Sequence, residues 1–515
     1  MSITVAVRVR PFNEREINMK SKLCVKMKDN TTILTSDEGK VRSFTFDYSF
    51  WSHSGYKEDE NGLLIKKNKK YADQQMIFDL FGKQVLENAF MGYHCCLFAY
   101  GQTDSGKSYS MIGYGANKGI VPMTFNRIFE MTRAEKSKSK QFEVAVSMME
   151  IYNEKIQDLL LPIKNRPKGG LKIRESKQLG VYVQGLSKQY VQNYEEIEAV
   201  MELGNTNRTI ASTQMNTSSS RAHTIIQLQF KQIKKIKGVK TEKFSMINLV
   251  DLAGSERAKK SGAVGDRLKE GSSINKSLTT LGLVISILAE QAMGKSKKKI
   301  IPYRNSSLTR ILQNALGGNS KTFMICAISP SNNNFDETLS TLRYADQAKK
   351  IKCHAKVNES QRDKKVRLLE EENLKLKKKL EKIKINYVNI KDDEQNLGKA
   401  SELSKYKEKI QDMEENMKAT QMILEEYQKS YEQKTGSKKL VIQKNNYDHP
   451  HIVNKNEDPS LDEKIFYDLH QIDNFYIGRP NGQPKPHIIL QSIGIQANHA
   501  VITRSENSFF LALGD

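Results

Sequence analysis

The chain is short of the features that staple a protein, carry it across a membrane or export it. Its 515 residues hold five cysteines, Cys24, Cys95, Cys96, Cys326 and Cys353. That number is odd and the spacing is not that of metal ligands, which fits a reducing compartment and excludes a disulfide-stapled scaffold. Long apolar runs are missing: the longest, around Gly282–Ala289, falls far short of the roughly 18 residues that a membrane span needs. The opening MSITVAVRVRP alternates like a strand and lacks the charged, apolar and small-residue order of a signal peptide. Acidic residues are in deficit, 59 against 82 Lys and Arg, for a formal charge of +23. Such an excess asks for a polyanionic partner: nucleic acid, an acidic membrane surface or an acidic protein. Hydrophobic residues make up 38 % and charged residues 27 %, so the length accommodates one large domain plus smaller, charge-rich pieces rather than a single ball.

Residues 1 to about 357 read as an α/β domain. Strand-like runs (Ile3–Val9, Phe44–Phe50, Cys95–Tyr100, Phe142–Tyr152, Thr224–Phe230, Phe244–Leu252 and Thr322–Ser329) alternate with helix-like segments. The basic stretches Lys66–Lys70, Arg133–Lys140, Lys231–Lys243 and Lys295–Lys299 read as exposed loops. After Asn358 the composition changes. Positions 366, 369, 373, 376, 380, 383, 387 and 390 carry Val, Leu, Asn, Leu, Leu, Ile, Tyr and Ile. This 3,4 spacing is either a coiled-coil seam or the stripe of one long amphipathic helix. A second run from Leu403 to Tyr431 repeats it in a shifted register, and Gly398 breaks the two apart. A dimer held by the first run alone, some 37 Å long at about 1.5 Å per residue, is expected to be weak. From about Ile452 strand-like runs return, and that module is expected to continue past Asp515.

Local chemistry concentrates in three motifs. GQTDSGKS, from Gly101, Gln102, Thr103, Asp104, Ser105 and Gly106 to Lys107 and Ser108, follows an apolar strand and satisfies G-x-x-x-x-G-K-[S/T]. The glycines let backbone N–H groups wrap a phosphate, Lys107 reaches the terminal phosphates, and Ser108 supplies a ligand for Mg²⁺. FSMINLVDLAGSER places Asp251 at a strand end and Gly254 just beyond, a carboxylate to act on Mg²⁺ through water and an N–H to sense a γ-phosphate. Asn216, Ser219, Ser220 and Arg221 add an amide, hydroxyls and a guanidinium in a polar loop. The base-reading N-K-x-D of GTPases is absent from the sequence, which favours ATP.

GQTDSGKS, NTSSSRAH (216–223) and DLAGSER (251–257) resemble the phosphate loop and two switches of kinesin motor domains. RVRP (Arg8–Pro11), INKSL (Ile274–Leu278), PYRNSSLTR (Pro302–Arg310), LGGNSKT (Leu316–Thr322) and STLRYADQAKKIK (Ser340–Lys352) follow in that family's order. FDYSFWSH (Phe46–His53), the lysine-bearing loop before Ile300, the neck and the terminal module resemble the kinesin-3 branch. The resemblance implies a P-loop NTPase motor domain with a central mixed β-sheet flanked by helices over 1–347. It further implies a neck linker over 348–358, a neck coiled coil over 359–392, a hinge over 393–401 and a second coil over 402–434. A linker over 435–451 then leads to part of a β-sandwich of forkhead-associated (FHA) type over 452–515.

By position, the resemblance implies that Arg8, Arg10 and Pro11 line the adenine–ribose pocket with Tyr109 stacking opposite. Lys107 and Ser108 hold phosphates and Mg²⁺. Ser220 reaches Mg²⁺ in the closed state, while Ser219 and Asn216 bracket the γ-phosphate. Arg221 pairs with Glu256 when the switches close and orders the attacking water. Asp104 stands where the family has a small residue, and a carboxylate there is expected to repel phosphate unless it points outward; Ala222 replaces a Ser; Tyr56–Lys70 is a lysine-bearing insertion, expected as a surface loop.

The implied partner is the microtubule, with Lys259, Lys260, Lys276, Lys295, Lys297, Lys298, Lys299, Arg304 and Arg310 as its contacts. The expected activity is microtubule-stimulated ATP hydrolysis driving plus-end-directed cargo transport in the cytoplasm, on the cytoskeleton. Nucleic acid and direct membrane insertion are not implied. A depolymerase is the alternative, disfavoured because the motor starts at residue 1, and a nucleotide-insensitive anchor is another. In the FHA-like segment Gly478, Arg479 and His499 match the pattern. Gln496 stands where phosphate-binding members place Ser, which favours a packing or autoinhibitory role.

Overall fold

Apolar runs that alternate between two faces build the centre of the molecule. The computed structural model describes residues 2–359 except 138, 177–179, 215–220, 237–238, 257–265 and 295–298. Beyond these it describes 364, 368, 374–383, 407–411, 414–415, 418, 451–453, 466–469, 474–478, 486–489, 498–505 and 508–513. The main sheet draws on Thr4–Val9 (β1), Tyr48–Trp51 (β2), Cys95–Tyr100 (β3), Lys140–Tyr152 (β4), Lys155–Asp158 (β5), His223–Ile236 (β6), Val239–Asp251 (β7) and Lys321–Ile328 (β8). Their spatial order is β5-β4-β6-β7-β3-β8-β1-β2, with Gln189–Val191 pairing beside β4. The half from β7 to β2 is parallel and the half from β5 to β7 antiparallel.

Every residue of β3 is buried, as fits a parallel strand covered on both faces. Helices Lys83–Phe90 (α1), Lys107–Met111 (α2), Ile120–Glu135 (α3), Tyr194–Gln214 (α4), Asp266–Ala292 (α5), Ser307–Ile311 (α6) and Phe335–Lys349 (α7) supply the cover. Cys95, Leu97 and Ala99 face one core with Val85 and Leu86 of α1 and Phe125 and Ile128 of α3. Cys96, Phe98 and Tyr100 face the other with Leu281 and Ile285 of α5 and Leu342 and Ala345 of α7. Each such large apolar side chain contributes about 1.5–3 kcal/mol on burial. Two cores therefore clamp β3, and its carboxyl end opens at the sheet edge where α/β folds place ligands.

Three expectations change. The run Phe44–Phe50 is two strands, Val41–Thr45 and β2; Asp47 breaks it by accepting the Val5 N–H at 2.8 Å. Lys231–Lys243 is not a loop: β6 and β7 pair from Thr224↔Asp251 to Ile236↔Val239, with Ile233 buried and Lys231 bridging Glu143 and Glu242. The insertion at Tyr56–Lys70 contains a small hairpin, Tyr56–Glu58 against Leu64–Lys66. Beyond the motor, residues 374–383 are helical and Leu380 is buried; the hinge and most of both proposed coils lie outside the described residues. Among the described residues, no helix is long and apolar enough to cross a membrane.

A second unit, Glu432–Asp515, holds Asn474–Gly478 between Ile488–Ile489 and Asn498–Ser505, which pairs on with Ser508–Leu513. Gly478 ends its strand and His499 lies in the next. Arg479 and Gln496 lie outside the described residues.

Candidate nucleotide site and linker seat

The phosphate loop leaves β3 at Gly101. A Cβ there would stand 2.2 Å from the Ala327 carbonyl oxygen at the end of β8, so only glycine lets the two strand ends approach this closely. Asp104 sits at φ 60°, a conformation Asp tolerates better than most residues, and is exposed. Lys107, 8 % exposed, donates to the carbonyls of Gly101 and Gln102 at 2.9 and 2.7 Å. Burial pushes its ammonium pKa down, and the carboxylates of Asp251, Glu256 and Asp104 only partly offset this. The helix after the loop, α2, has five residues, stopping before the hairpin Gly113–Tyr114 against Asn117–Lys118. Its short length leaves the loop's own N–H groups and Lys107 as the main anion-attracting features.

Asp251 ends β7 beside the loop. Ser108 Oγ donates to its Oδ2 at 2.6 Å, while Oδ1 is buried with no hydrogen-bond partner among the described residues. Burial pushes this carboxyl up, against the pull of Ser108, Lys107 and Arg208. The next residues fold onto the loop: Ser255 N–H donates to Gly101 O at 3.1 Å. Glu256 accepts from the Thr103 N–H at 2.7 Å and from Thr103 Oγ1. A Cβ on Gly254 would stand 2.3 Å from Thr103 Oγ1 and 2.5 Å from Glu256 Oε2, so this contact also requires glycine.

At the other end of the cleft Arg8 is 3 % exposed. It donates to Ser52, Gln74 and Ser110 at 3.0, 2.8 and 3.0 Å, and its guanidinium lies 4.9 Å from the centre of the Tyr109 ring. Burial pushes it down to about 10, so it remains charged. Arg10 is held by Glu16 at 2.6 and 2.8 Å and donates to Asp104 O. Pro11 follows and is half-buried. Thus direct contacts join Arg10, Asp251, Gly254 and Glu256 to the phosphate loop, with Arg8 and Tyr109 packed together beside it. Asn216, Ser219 and Ser220 lie outside the described residues, and Arg221 is half-buried just before β6. Ser52, Gln74, Ser110 and Glu16 were missed; only Glu16 carried a local signal, the Asn13-x-x-Glu16 capping box.

Of the proposed filament contacts, Lys276, Lys299 and Arg304 are exposed. Lys299 lies 3.0 Å from Glu290 and Arg304 lies 3.6 Å from Glu175. Arg310 is half-buried, with its Nε enclosed and without a partner among the described residues. Lys259, Lys260, Lys295, Lys297 and Lys298 lie outside the described residues.

The residues after α7 run back across the motor. Ile351 O accepts from Ile3 N–H at 3.2 Å, and His354 N–H donates to Gly318 O at 2.9 Å. Lys356 N–H donates to Asn319 Oδ1 at 2.7 Å. Asn358 is held on three sides: its N–H and side-chain amide donate to Gly92 O, its carbonyl accepts from Phe244 N–H at 3.0 Å, and its Oδ1 accepts from Asn319 at 2.8 Å. Gly92 lies just before β3, so this seat and the phosphate loop occupy opposite ends of one strand. Tyr100 at the loop end stacks on Tyr344 of α7, ring centres 4.1 Å apart and 5° from parallel, and α7 leads directly into the seated segment.

A P-loop at the end of a mixed sheet, with a second glycine-bearing strand end folded onto it, defines a nucleotide-switch protein of the kinesin motor class. The family model of the kinesin motor domain matches residues 8–351, and the chain belongs to that family. The mouse protein "Kinesin-like protein KIF13A" is 44 % identical over 510 residues, 97 % of this chain and 28 % of its own length. "Kinesin-like protein unc-104" of Caenorhabditis elegans is 40 % identical over 543 residues, 99 % of this chain and 33 % of its own length. These place the chain in the kinesin-3 branch; it spans about a third or less of either relative. A solved KIF14 dimer, described as two-heads-bound with AMP-PNP on a microtubule, superposes with TM-score 0.63 at 44 % identity over 70 % of this chain and 97 % of that one.

Proposed function

We propose that the chain is a microtubule-stimulated ATPase and motor, plus-end-directed, in which closure of the nucleotide switches seats the linker. One observation carries this most directly: Ser108, Asp251, Gly254 and Glu256 are bonded or packed onto a single phosphate loop, on the strand whose other end receives Asn358. In that reading Lys107 leaves its loop carbonyls for the β- and γ-phosphates, and Gly254 N–H senses the γ-phosphate. Glu256 exchanges Thr103 for Arg221 as the switches close and orders the attacking water. Phosphoryl transfer needs mainly positioning and charge neutralisation, and these groups supply both.

Asp251, whose Oδ1 is without a partner among the described residues, and Ser108 would hold a Mg²⁺ ion, with Ser220 joining them on closure. Mg²⁺, when bound, supplies positive charge to the phosphates. Among the described residues no cluster of three His, Cys, Asp or Glu gathers to hold a metal.

The acidic tubulin surface is the partner that the KIF14 complexes on microtubules support. Lys276, Lys299, Arg304 and Arg310, with Lys259, Lys260, Lys295, Lys297 and Lys298, are its contacts. The coils pair weakly, and the terminal unit is an FHA-type sandwich with a packing role. The test is steady-state ATPase with and without microtubules, combined with gliding of filaments over surface-bound protein. Stimulated turnover with gliding supports the motor; filament shortening replaces it with a depolymerase; binding with neither replaces it with an anchor.

A further inference from the structure

His223 ends the motif NTSSSRAH and opens β6, and the chemistry proposed above does not use it. It is 2 % exposed. Its Nδ1 lies 3.0 Å from the Ala253 N–H, and its Nε2 lies 2.8 Å from Ser277 Oγ on α5. A backbone N–H can only donate, so Nδ1 is the bare nitrogen and the ring proton sits on Nε2, donated to Ser277. Burial, with the nearby Lys107 charge adding to it, pushes the imidazole down to about 3, which fixes the neutral ring in this tautomer.

Three functional segments therefore meet on one planar side chain. These are the entry to β6 just after Arg221, the peptide that leads into Gly254, and α5 at the residue next to Lys276. The ring is rigid and both of its bonds are directional and enclosed. A shift of α5 along its axis must either carry the Ala253–Gly254 peptide with it or leave a buried donor unpaired, which costs about 1–3 kcal/mol.

We propose that His223 is a positioning residue that transmits the setting of α5 to the γ-phosphate sensor at Gly254, so that filament contact along α5 accelerates ATP hydrolysis through the His223–Ser277 bond. This rests on reading the chain as a microtubule-stimulated ATPase. A histidine that merely fills the core would, when altered, lower basal and stimulated turnover alike. A transmitting one separates them.

The experiment uses the full chain as wild type, Ser277→Ala, His223→Asn and the double variant. ATPase is measured without microtubules and over a microtubule titration, with thermal melting alongside. An asparagine keeps an acceptor for the Ala253 N–H but is too short to reach Ser277. Ser277→Ala is expected to leave turnover without filaments unchanged. It should lower the microtubule-stimulated kcat about fivefold, the worth of one neutral hydrogen bond, without changing the half-saturating microtubule concentration. In the His223→Asn background it should have no further effect.

Full stimulation of Ser277→Ala overturns the proposal. So does a parallel fall in basal and stimulated rates, or an equal Ser277→Ala effect in both backgrounds. If His223→Asn does not fold, the rate split in Ser277→Ala decides alone. A wild-type chain with no microtubule stimulation overturns the motor reading itself, which distinguishes the two failures.

Discussion

The two ends of β3 are built on opposite principles. At its carboxyl end polar groups are crowded and incompletely paired: Asp251 Oδ1, Gln102 Oε1 and Ser105 Oγ are buried without partners among the described residues, and burial works against the charges of both Lys107 and Asp251. At its amino end the seat of Asn358 is made of neutral amides and carbonyls, each matched to a partner. A buried polar group without a partner is costly, so the carboxyl end is set up to receive charge from a ligand. Neutral hydrogen bonds contribute about 1 kcal/mol each, so the amino end can open and close without a large barrier. One strand joins a site with strong, specific demand to a clasp of weak, separable bonds.

The sharpest way to break this contrast is Lys107→Ala. Removing one partner of a buried charge pair costs roughly 2–5 kcal/mol, so nucleotide affinity should fall about a thousandfold in a fluorescent-ATP titration; near-normal affinity would show that the carboxyl end does not depend on this charge. Next is Glu256→Ala, expected to retain ATP binding and to lower hydrolysis by about a hundredfold or more. Normal turnover would remove Glu256 from the chemistry.

Asn358→Ala tests the other end. Loss of its two side-chain bonds should shift the seated-to-free ratio of the linker about tenfold, read by the distance between spin labels on the linker and the motor. An unchanged distribution would mean that the backbone bonds suffice.

The smallest effect concerns His94, where the two ends share a device. Its Nδ1 accepts the Met246 N–H at 3.0 Å, as His223 accepts that of Ala253, so one histidine holds the middle of β7 and the other the peptide just past its end. Burial pushes His94 down to about 4. The unfolded chain takes up a proton below its ordinary value near 6.5 while the folded chain refuses it until about pH 4. Stability should therefore fall as pH drops through that window, by about 1 kcal/mol near pH 5.8. His94→Gln should flatten that part of the acid slope in melting experiments, and an unchanged slope would assign the acid sensitivity elsewhere.

The cleft was legible where its chemistry is local. GQTDSGKS carries its strand, turn and lysine within eight residues, and DLAGSER names a strand end and a glycine. What could not be read is what distant segments supply: Gln74 lies 66 residues from the Arg8 it binds, and Glu256 lies 153 residues from Thr103. No periodicity or spacing encodes such meetings. The β6–β7 hairpin was misjudged for another reason. Charged and apolar residues share a face there, Lys231 opposite Phe244 and Ile233 opposite Glu242, so the run shows no clean alternation to read. The seat of Asn358 was legible only as a place in the chain, since Gly92, Asn319 and Phe244 come to it from three separate segments.

The thiols give the seated linker a chemical clock. Cys353 is 4 % exposed and donates to Ala315 O at 3.4 Å, and burial pushes its thiol up. Cys95, Cys96 and Cys326 are enclosed in the sheet, and Cys24, pushed up to about 12, is tied to Pro330 O. The thiolate is the nucleophile that attacks an alkylating reagent, so burial that keeps these thiols protonated protects all five. On the proposed unseating of residues 348–358, Cys353 is the cysteine within that segment and would travel with it into water. The rate of alkylation at that one position, followed by mass spectrometry on the unmodified protein, then counts the moments at which the linker is off.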